Sequence, residues 1–445
     1  MPFPLQFLVP AQYDLAYSEM WEAYGGDAGA WRQVTAARRD AIVSYARRRS
    51  PYYQRTIPEG TPFEEIPVLT KQVLRDHPDE LLARDVPAWR RHTVRTSGST
   101  GEPATLHRDI HQILIESMSS DRFLRSLHGV PFDATIVAVT STGASRERLS
   151  RRDRLKGWAI ERLGGPRAYD PWLLTAPISD VRRARTLQAR LDLWARLRRY
   201  VFLGQASALD GMARLIEAGE VRMRRPPVAI AASSDILTAR AKERIERAFG
   251  AWVHTRYGAV EMPFLSASMP NTTDRYVFNP LLAYVEVLDR DGRPVGPGEM
   301  GRVVVTDLNN RVMPLIRYDL GDLAVDSEEG SVGGFRLVEG VMGRASEVLR
   351  FPSGRTLTAV DLDRLVFSGA ASVRGWQCVQ TGANHLEVRV VWDTEPDDLA
   401  GRLAATVRSA VDADTSVAVR TVTELESYPS GKVWLVRGLG SNDVR

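Results

Sequence analysis

Between residues 135 and 256, short apolar runs alternate with stretches of helical periodicity, and this alternation constrains the fold more than any other feature. Residues 135–140, 200–203, 228–232 and 252–256 read as buried strands, with helices over 207–218 and 239–249. Strands separated by helices cannot close as hairpins; they pair in parallel, so an α/β sheet covered by helices is predicted. Upstream, residues 31–49 form a basic amphipathic pattern that Ser50-Pro51 stops, because proline cannot continue a helix. From Leu281 the pattern changes to short β segments with turn signals, 283–288 and 301–306, which predicts a small β-rich unit. The C-terminal stretch reads as an α+β unit of its own: helix 359–367, strands 376–381 and 386–392, helix 398–411 and strand 417–422. The join falls near Gly343–Gly354, dividing the chain into a large N-terminal domain, 1–346, and a small C-terminal domain, 347–445.

The 445 residues are 44% hydrophobic and 26% charged, the balance of a soluble globular protein. No run approaches the roughly 18 apolar residues needed to span a bilayer, and Met1-Pro2-Phe3 lacks the basic start of a signal peptide. With a single cysteine, Cys378, neither an internal disulfide nor a multi-cysteine metal site can form. A cytoplasmic enzyme without a membrane partner is expected. The formal charge is only +4, yet just four of the 59 basic residues are lysines: Lys71, Lys156, Lys242 and Lys432. Where arginine is the default cation, each lysine becomes conspicuous. Arginine runs at 146–156 and 182–199 invite a nucleic-acid reading. The second carries Leu187, Leu191, Trp194 and Leu197 at helical spacing, so a solvated helix face explains it, and no nucleic-acid module accompanies either.

Residues Arg95 to Pro103 read Arg-Thr-Ser-Gly-Ser-Thr-Gly-Glu-Pro. Such a run builds no core and is costly to order, but it offers hydroxyls and unobstructed amide N–H groups, the inventory that wraps a polyphosphate. A flexible linker fits poorly between a strand at 91–95 and a helix expected near Asp109. No lysine follows Gly101, so this is not the usual triphosphatase loop. Four further segments sit at element boundaries: Tyr257-Gly-Ala-Val-Glu261, Ile316-Arg-Tyr-Asp-Leu-Gly-Asp322, Gly343-Arg-Ala-Ser-Glu347 and Pro429-Ser-Gly-Lys432. Singly each is weak. Their order and spacing together with the phosphate loop are specific.

Jointly these segments resemble the adenylate-forming superfamily, the acyl-CoA ligases and their relatives. Ala46-Arg-Arg-Arg-Ser-Pro-Tyr-Tyr53 and Ile66-Pro-Val-Leu-Thr-Lys71 resemble the phenylacetate-CoA ligase-like branch, so the resemblance covers nearly the whole chain. It implies that Thr96, Ser97, Gly98, Ser99, Thr100 and Gly101 hold the β- and γ-phosphates of ATP. It places Ser233, Ser234, Asp235, Arg256, Tyr257 and Gly258 around the nucleotide, with Tyr257 against adenine. Asp322 would accept from the ribose hydroxyls, Arg344 would reach the ribose-phosphate region, and Glu261 would help hold Mg²⁺. Lys432 would bridge the carboxylate and the α-phosphate as charge develops, and Glu347 would be the hinge of a mobile C-terminal domain. Val139, Thr140, Gly204, Ala259 and Pro263 are candidate lining residues for the acid, small or apolar, which points to an aromatic or short aliphatic substrate. Three departures stand out: Glu102 where a basic residue is common, Val260 where threonine is usual, and Glu347 where aspartate is commoner.

The implied activity is ATP-dependent formation of an acyl-adenylate and transfer to a thiol, with coenzyme A as the expected acceptor. An amine or carrier-protein acceptor, and a weakly active nucleotide-binding scaffold, stand as alternatives. Other motifs are set aside. His107 and His111 have the i, i+4 spacing of a helical zinc pair but no third ligand, and Tyr428-Pro-Ser-Gly-Lys432 mimics a dehydrogenase Tyr-x-x-x-Lys that Pro429 and Gly431 keep off a helix. No Gly-x-Ser-x-Gly elbow of a serine hydrolase is present.

Overall fold

A computed structural model describes residues 28–95, 104–109, parts of 112–199, and 200–439 apart from 264, 346, 371, 394–398, 413 and 429–432. Helix α1, Ala28–Arg49, ends with Arg47, Arg48 and Arg49 in its last turn, where cations suit the negative end of the helix dipole. Pro51 then opens α2, Pro51–Thr56, the position where its missing N–H costs nothing. Helix α3, Lys71–Asp76, is capped by the Thr70 hydroxyl, which accepts from the Val73 amide at 3.4 Å and sets Lys71 at the first helical residue.

Strands β1, Arg91–Arg95, and β2, Thr105–Asp109, pair antiparallel from Arg91↔Asp109 to Arg95↔Thr105. A strand that the sequence did not signal thus runs up to Asp109 before the expected helix, in which Gln112 lies, and the glycine-rich run joins two strands of a hairpin. His107 accordingly lies on a strand, not on a helix. Strands β3, Thr135–Val139, β4, Tyr169–Asp170, β5, Tyr200–Gln205, β6, Ala229–Ser233, and β7, Val253–Tyr257, are parallel, as the alternation predicts. Helix α4, Ala206–Glu217, follows β5, and α5, Ala239–Phe249, follows β6. Thr238 caps α5 and Gly250, at φ 66°, ends it in the left-handed conformation that glycine adopts without penalty.

The β-rich segment continues the same sheet. Its strands are β8, Ser266–Ser268, β9, Arg275–Phe278, β10, Ala283–Leu288, β11, Met300–Asp307, β12, Tyr318–Val332, and β13, Phe335–Arg344. Strand β8 pairs antiparallel with β7, and the sheet runs on as β10-β11-β12-β13-β9-β8-β7-β6-β5-β3-β4, eleven strands in all. Turn signals locate such strands but carry no information on which edge they extend. One core, including Tyr53, Leu69, Phe278, Val305 and Tyr318, packs the N-terminal helices on the antiparallel half; another, including Phe202, Leu209, Ile245 and Phe249, lies under α4 and α5.

A smaller sheet follows a short hairpin of β14, Leu349–Arg350, and β15, Thr356–Leu357. Its strands β16, Val373–Gly382, β17, His385–Trp392, β18, Ser416–Thr421, and β19, Val436–Arg437, are ordered β18-β17-β16-β19. With the helical segment Ala359–Phe367 and α6, Leu399–Ala410, it has its own core from Leu349 to Val436. This unit touches the large sheet's helices through polar contacts. The Asp363 carboxylate accepts from the Ala239 amide at 3.1 Å, and Arg240 donates to the carbonyls of Ala370 and Val373 at 2.7 and 2.5 Å.

Candidate active site

The carboxyl ends of β3, β5, β6 and β7 lie side by side, with Val139 registered against Gly204, Gly204 against Ala232 and Gln205 against Ser233. That edge of an open α/β sheet is where ligands bind, because the strand ends and the following loops leave a crevice. The segment after β7 carries Gly258, Ala259, Val260 and Glu261 across it, and an Ala259 amide to Met262 carbonyl bond of 3.1 Å closes the turn. Ala259 and Pro263 are half-buried, Gly204 buried and Gly258 and Val260 exposed.

Two clusters meet at this edge. In the first, the Tyr257 hydroxyl donates to Asp322 Oδ2 at 2.8 Å. Burial and the adjoining carboxylate push the phenol well above its usual value, against a smaller opposing effect of Arg344, so Tyr257 stays a protonated donor. Strand pairing puts Asp322 opposite Arg344 at the ends of β12 and β13. The expected adenine-facing Tyr257 thus also orients the expected ribose-binding carboxylate, which retains acceptor capacity for further donors.

The second cluster surrounds Glu261, buried at 7% exposure. Its Oε1 accepts from the Tyr318 hydroxyl at 3.2 Å and lies 3.5 Å from Lys71 Nζ. Lys71 is delivered by backbone stitching: the Leu69 amide donates to the Arg317 carbonyl, and the Asp319 amide to the Leu69 carbonyl, both at 2.9 Å. Arg317 secures that stitch. At φ 48°, uncommon for a residue with a side chain, its guanidinium grips Glu286 at 3.0 and 3.1 Å and the carbonyls of Glu64 and Ile66 at 2.5 and 2.7 Å. The arginine of the Arg-Tyr-Asp segment is therefore consumed in structure. Neither Lys71 nor Tyr318 was given a role from the sequence; the scarcity of lysine and the Ile66–Lys71 segment were the signals that pointed to Lys71.

Ser233 and Ser234 follow β6 side by side, their hydroxyls 3.5 Å apart, with Ser234 at φ 71°. Asp235 turns toward α4, accepting from the Ser207 amide at 3.3 Å and from the Ser207 hydroxyl, so one of its oxygens caps that helix. Arg256 is buried on β7 with His254, one residue out of phase with Tyr257, and strand alternation turns the two side chains to opposite faces. At the join, the Glu347 amide donates to the Arg344 carbonyl at 2.8 Å, and the Tyr428 hydroxyl donates to Glu347 Oε1 at 2.8 Å. Thr96–Gly101, Thr140 and Lys432 lie outside the described residues, as does the side chain of Val139.

The same fold is found in solved CoA ligases. The structure is similar to 2-hydroxyisobutyryl-CoA ligase in its postadenylation state, with TM-score 0.70, 19% identity, and coverage of 92% of this chain and 89% of that one. The same ligase in its thioesterification state overlays less closely, at TM-score 0.56. O-succinylbenzoate coenzyme A synthetase from Bacillus subtilis, in complex with ATP and magnesium ion, matches at TM-score 0.53 and 14% identity over 77% of this chain and 68% of that one. In sequence, Protein CapK of Staphylococcus aureus is 19% identical over 412 residues, 88% of this chain and 86% of its own length. No family model matches the chain.

Proposed function

We propose that this chain activates a carboxylic acid with ATP, forming an acyl-adenylate and pyrophosphate, and then passes the acyl group to the thiol of coenzyme A. The observation that carries the reading is the meeting of the Tyr257–Asp322 pair and the Lys71–Glu261–Tyr318 cluster at the carboxyl edge of one parallel sheet. Asp322 would hold the ribose, Tyr257 the adenine side, and Ser233 and Ser234 the opposite wall. The amides and hydroxyls of Thr96–Gly101 would hold the terminal phosphates, and Arg344 the ribose-phosphate region. The acid's carboxylate oxygen attacks the α-phosphorus as the bond to pyrophosphate breaks, and Lys432 would neutralise the charge that develops there. In the second half-reaction the thiol sulfur attacks the acyl carbon, losing its proton, and AMP leaves.

Glu261 suits Mg²⁺ in one specific way. Among the described residues no group of three or more His, Cys, Asp or Glu could hold a metal alone. One carboxylate is what Mg²⁺ uses when substrate phosphates and water complete its shell, so the ion would arrive with ATP and supply charge neutralisation. Lys71 already occupies one side of that carboxylate.

The N-terminal segment supports a phenylacetate-CoA ligase-like assignment, because the stretch carrying that resemblance, Ile66–Lys71, reaches the site. The lining residues favour an aromatic or short aliphatic acid. The chain divides after residue 346, and the C-terminal unit rotates about Glu347 to admit the thiol. None of the described helices is long and apolar enough to cross a membrane. ATP–pyrophosphate exchange with a panel of acids, followed by thioester formation with coenzyme A, tests the reading. Retained ATP binding without exchange for any acid would leave a nucleotide-binding scaffold instead.

A further inference from the structure

The segment that carries Pro429–Lys432 lies between β18, which ends at Thr421, and β19, which begins at Val436, and one side chain holds it on both sides, at Glu426 and at Trp434. Gln377, on β16 and fully buried, donates through Nε2 to the Glu426 carbonyl at 2.8 Å and to the Trp434 carbonyl at 2.7 Å. Its Oε1 accepts from the Glu426 amide at 3.0 Å. Both amide protons and one carbonyl lone pair are thus committed to the two stems. Just inside this clamp, Ser427 and Val433 form an antiparallel bridge. Just outside it, the Cys378 amide donates to the Leu435 carbonyl at 2.8 Å, and Arg437 lies 4.0 Å over the ring of buried Trp434. The Arg437 side chain also reaches both stems, 3.6 Å from Glu426 Oε2 and over the Trp434 ring, but only Gln377 is buried between their backbones.

We propose that Gln377 is a positioning residue for adenylation, acting through Lys432 by fixing both ends of its loop. This rests on the function proposed above. A short loop with pinned ends keeps few conformations, whereas freeing either stem multiplies them and dilutes the one in which the lysine meets the α-phosphate. Misplacing a catalytic group by about 1 Å can cost up to about 10²-fold in rate, so a side chain far from the chemistry can matter this much. Gln377 touches no substrate. Its influence is confined to the half-reaction that uses the lysine.

The test uses the full chain with Gln377→Met, which keeps length and volume but removes all three bonds, and Gln377→Glu, which keeps only the acceptor. ATP–pyrophosphate exchange should fall about tenfold or more in Gln377→Met through kcat, with KM for ATP and acid within about twofold. Thioester formation from preformed acyl-adenylate should change by less than about threefold, because it does not use the positioned lysine. In a Lys432→Ala background, adding Gln377→Met should cause no further loss, since a group acting through an absent partner has nothing left to act on. Equal losses in both half-reactions, or a full additional loss in the Lys432→Ala background, would show a merely structural role. If Gln377→Met does not fold, the same readings on Gln377→Glu decide. Should the wild-type protein exchange with no acid, the functional reading fails, and amide hydrogen exchange of residues 428 and 430–433 judges the clamp alone. At least tenfold faster exchange in Gln377→Glu supports it, and unchanged protection overturns it.

Discussion

Replacing Tyr257 with phenylalanine isolates one hydrogen bond at the centre of the site. The ring's edge-to-face contacts, 6.4 Å to Tyr276 and 6.2 Å to Phe278, survive the change, so little stability should be lost. What disappears is the 2.8 Å donation to Asp322 Oδ2. A hydrogen bond to a charged acceptor is worth about 1.5–3 kcal/mol, which would weaken ATP binding by roughly 10–100-fold if fully expressed. Asp322 is half-buried and can recover part of this from water, so the expected loss is at the low end, about tenfold. Calorimetric titration with a non-hydrolysable ATP analogue should show this loss, with kcat at saturating ATP changed by less than about threefold. Asp322→Asn should cost more alone, and the double variant should lose less than the sum, with a coupling of about 1 kcal/mol. ATP affinity unchanged in Tyr257→Phe, or strict additivity with Asp322→Asn, would refute the inference that the phenol orients the ribose-binding carboxylate.

Two further outcomes follow from the surrounding structure. Arg317→Met strands the Glu286 carboxylate and frees the Glu64–Ile66 carbonyls, and breaking a buried pair should lower unfolding free energy by about 3–5 kcal/mol; a urea midpoint within error of wild type would contradict this. His128 and His254 stack at 4.2 Å in the interior, and burial pushes both below the usual histidine value, His128 to about 4, with Arg256 adding to the effect on each. A lowered folded value means the unfolded chain binds more protons below about pH 6.5, so stability falls as pH drops from there toward 4, by about 1.4 kcal/mol per pH unit for each histidine. His254→Leu should flatten the acid limb of stability against pH by that amount, and an unchanged slope would disprove the assignment.

Strands and helices whose burial is locally encoded were legible in the sequence. Helix 239–249 and strand 283–288 match the structure residue for residue, because Thr238, Gly250 and the flanking turns punctuate them locally. The parallel pairing of the alternating strands was legible too, but the antiparallel pairing was not. The β2 strand read as the approach to a helix because Thr-Leu-His-Arg-Asp carries a weak pattern, and only its partner β1, across the glycine-rich run, makes it a strand. The antiparallel strands read as a small β-rich unit, and their continuity with the parallel sheet was hidden because the contact joining them, Tyr257↔Ser266, leaves no mark on periodicity. In the site, Glu261, Asp322 and Arg344 stood out within their motifs. Lys71 and Gln377 act across long sequence separations, where spacing says nothing and only the folded register brings them to their partners.

The account's central claim is that the lysine brought by the C-terminal unit serves acid activation and not thiol transfer. Measuring both half-reactions in Lys432→Ala tests it most directly. ATP–pyrophosphate exchange should fall by about 10²–10³-fold, the range for losing one preorganised charge donor, while thioester formation from preformed acyl-adenylate persists. Equal loss in both half-reactions, or exchange that survives the substitution, would contradict it.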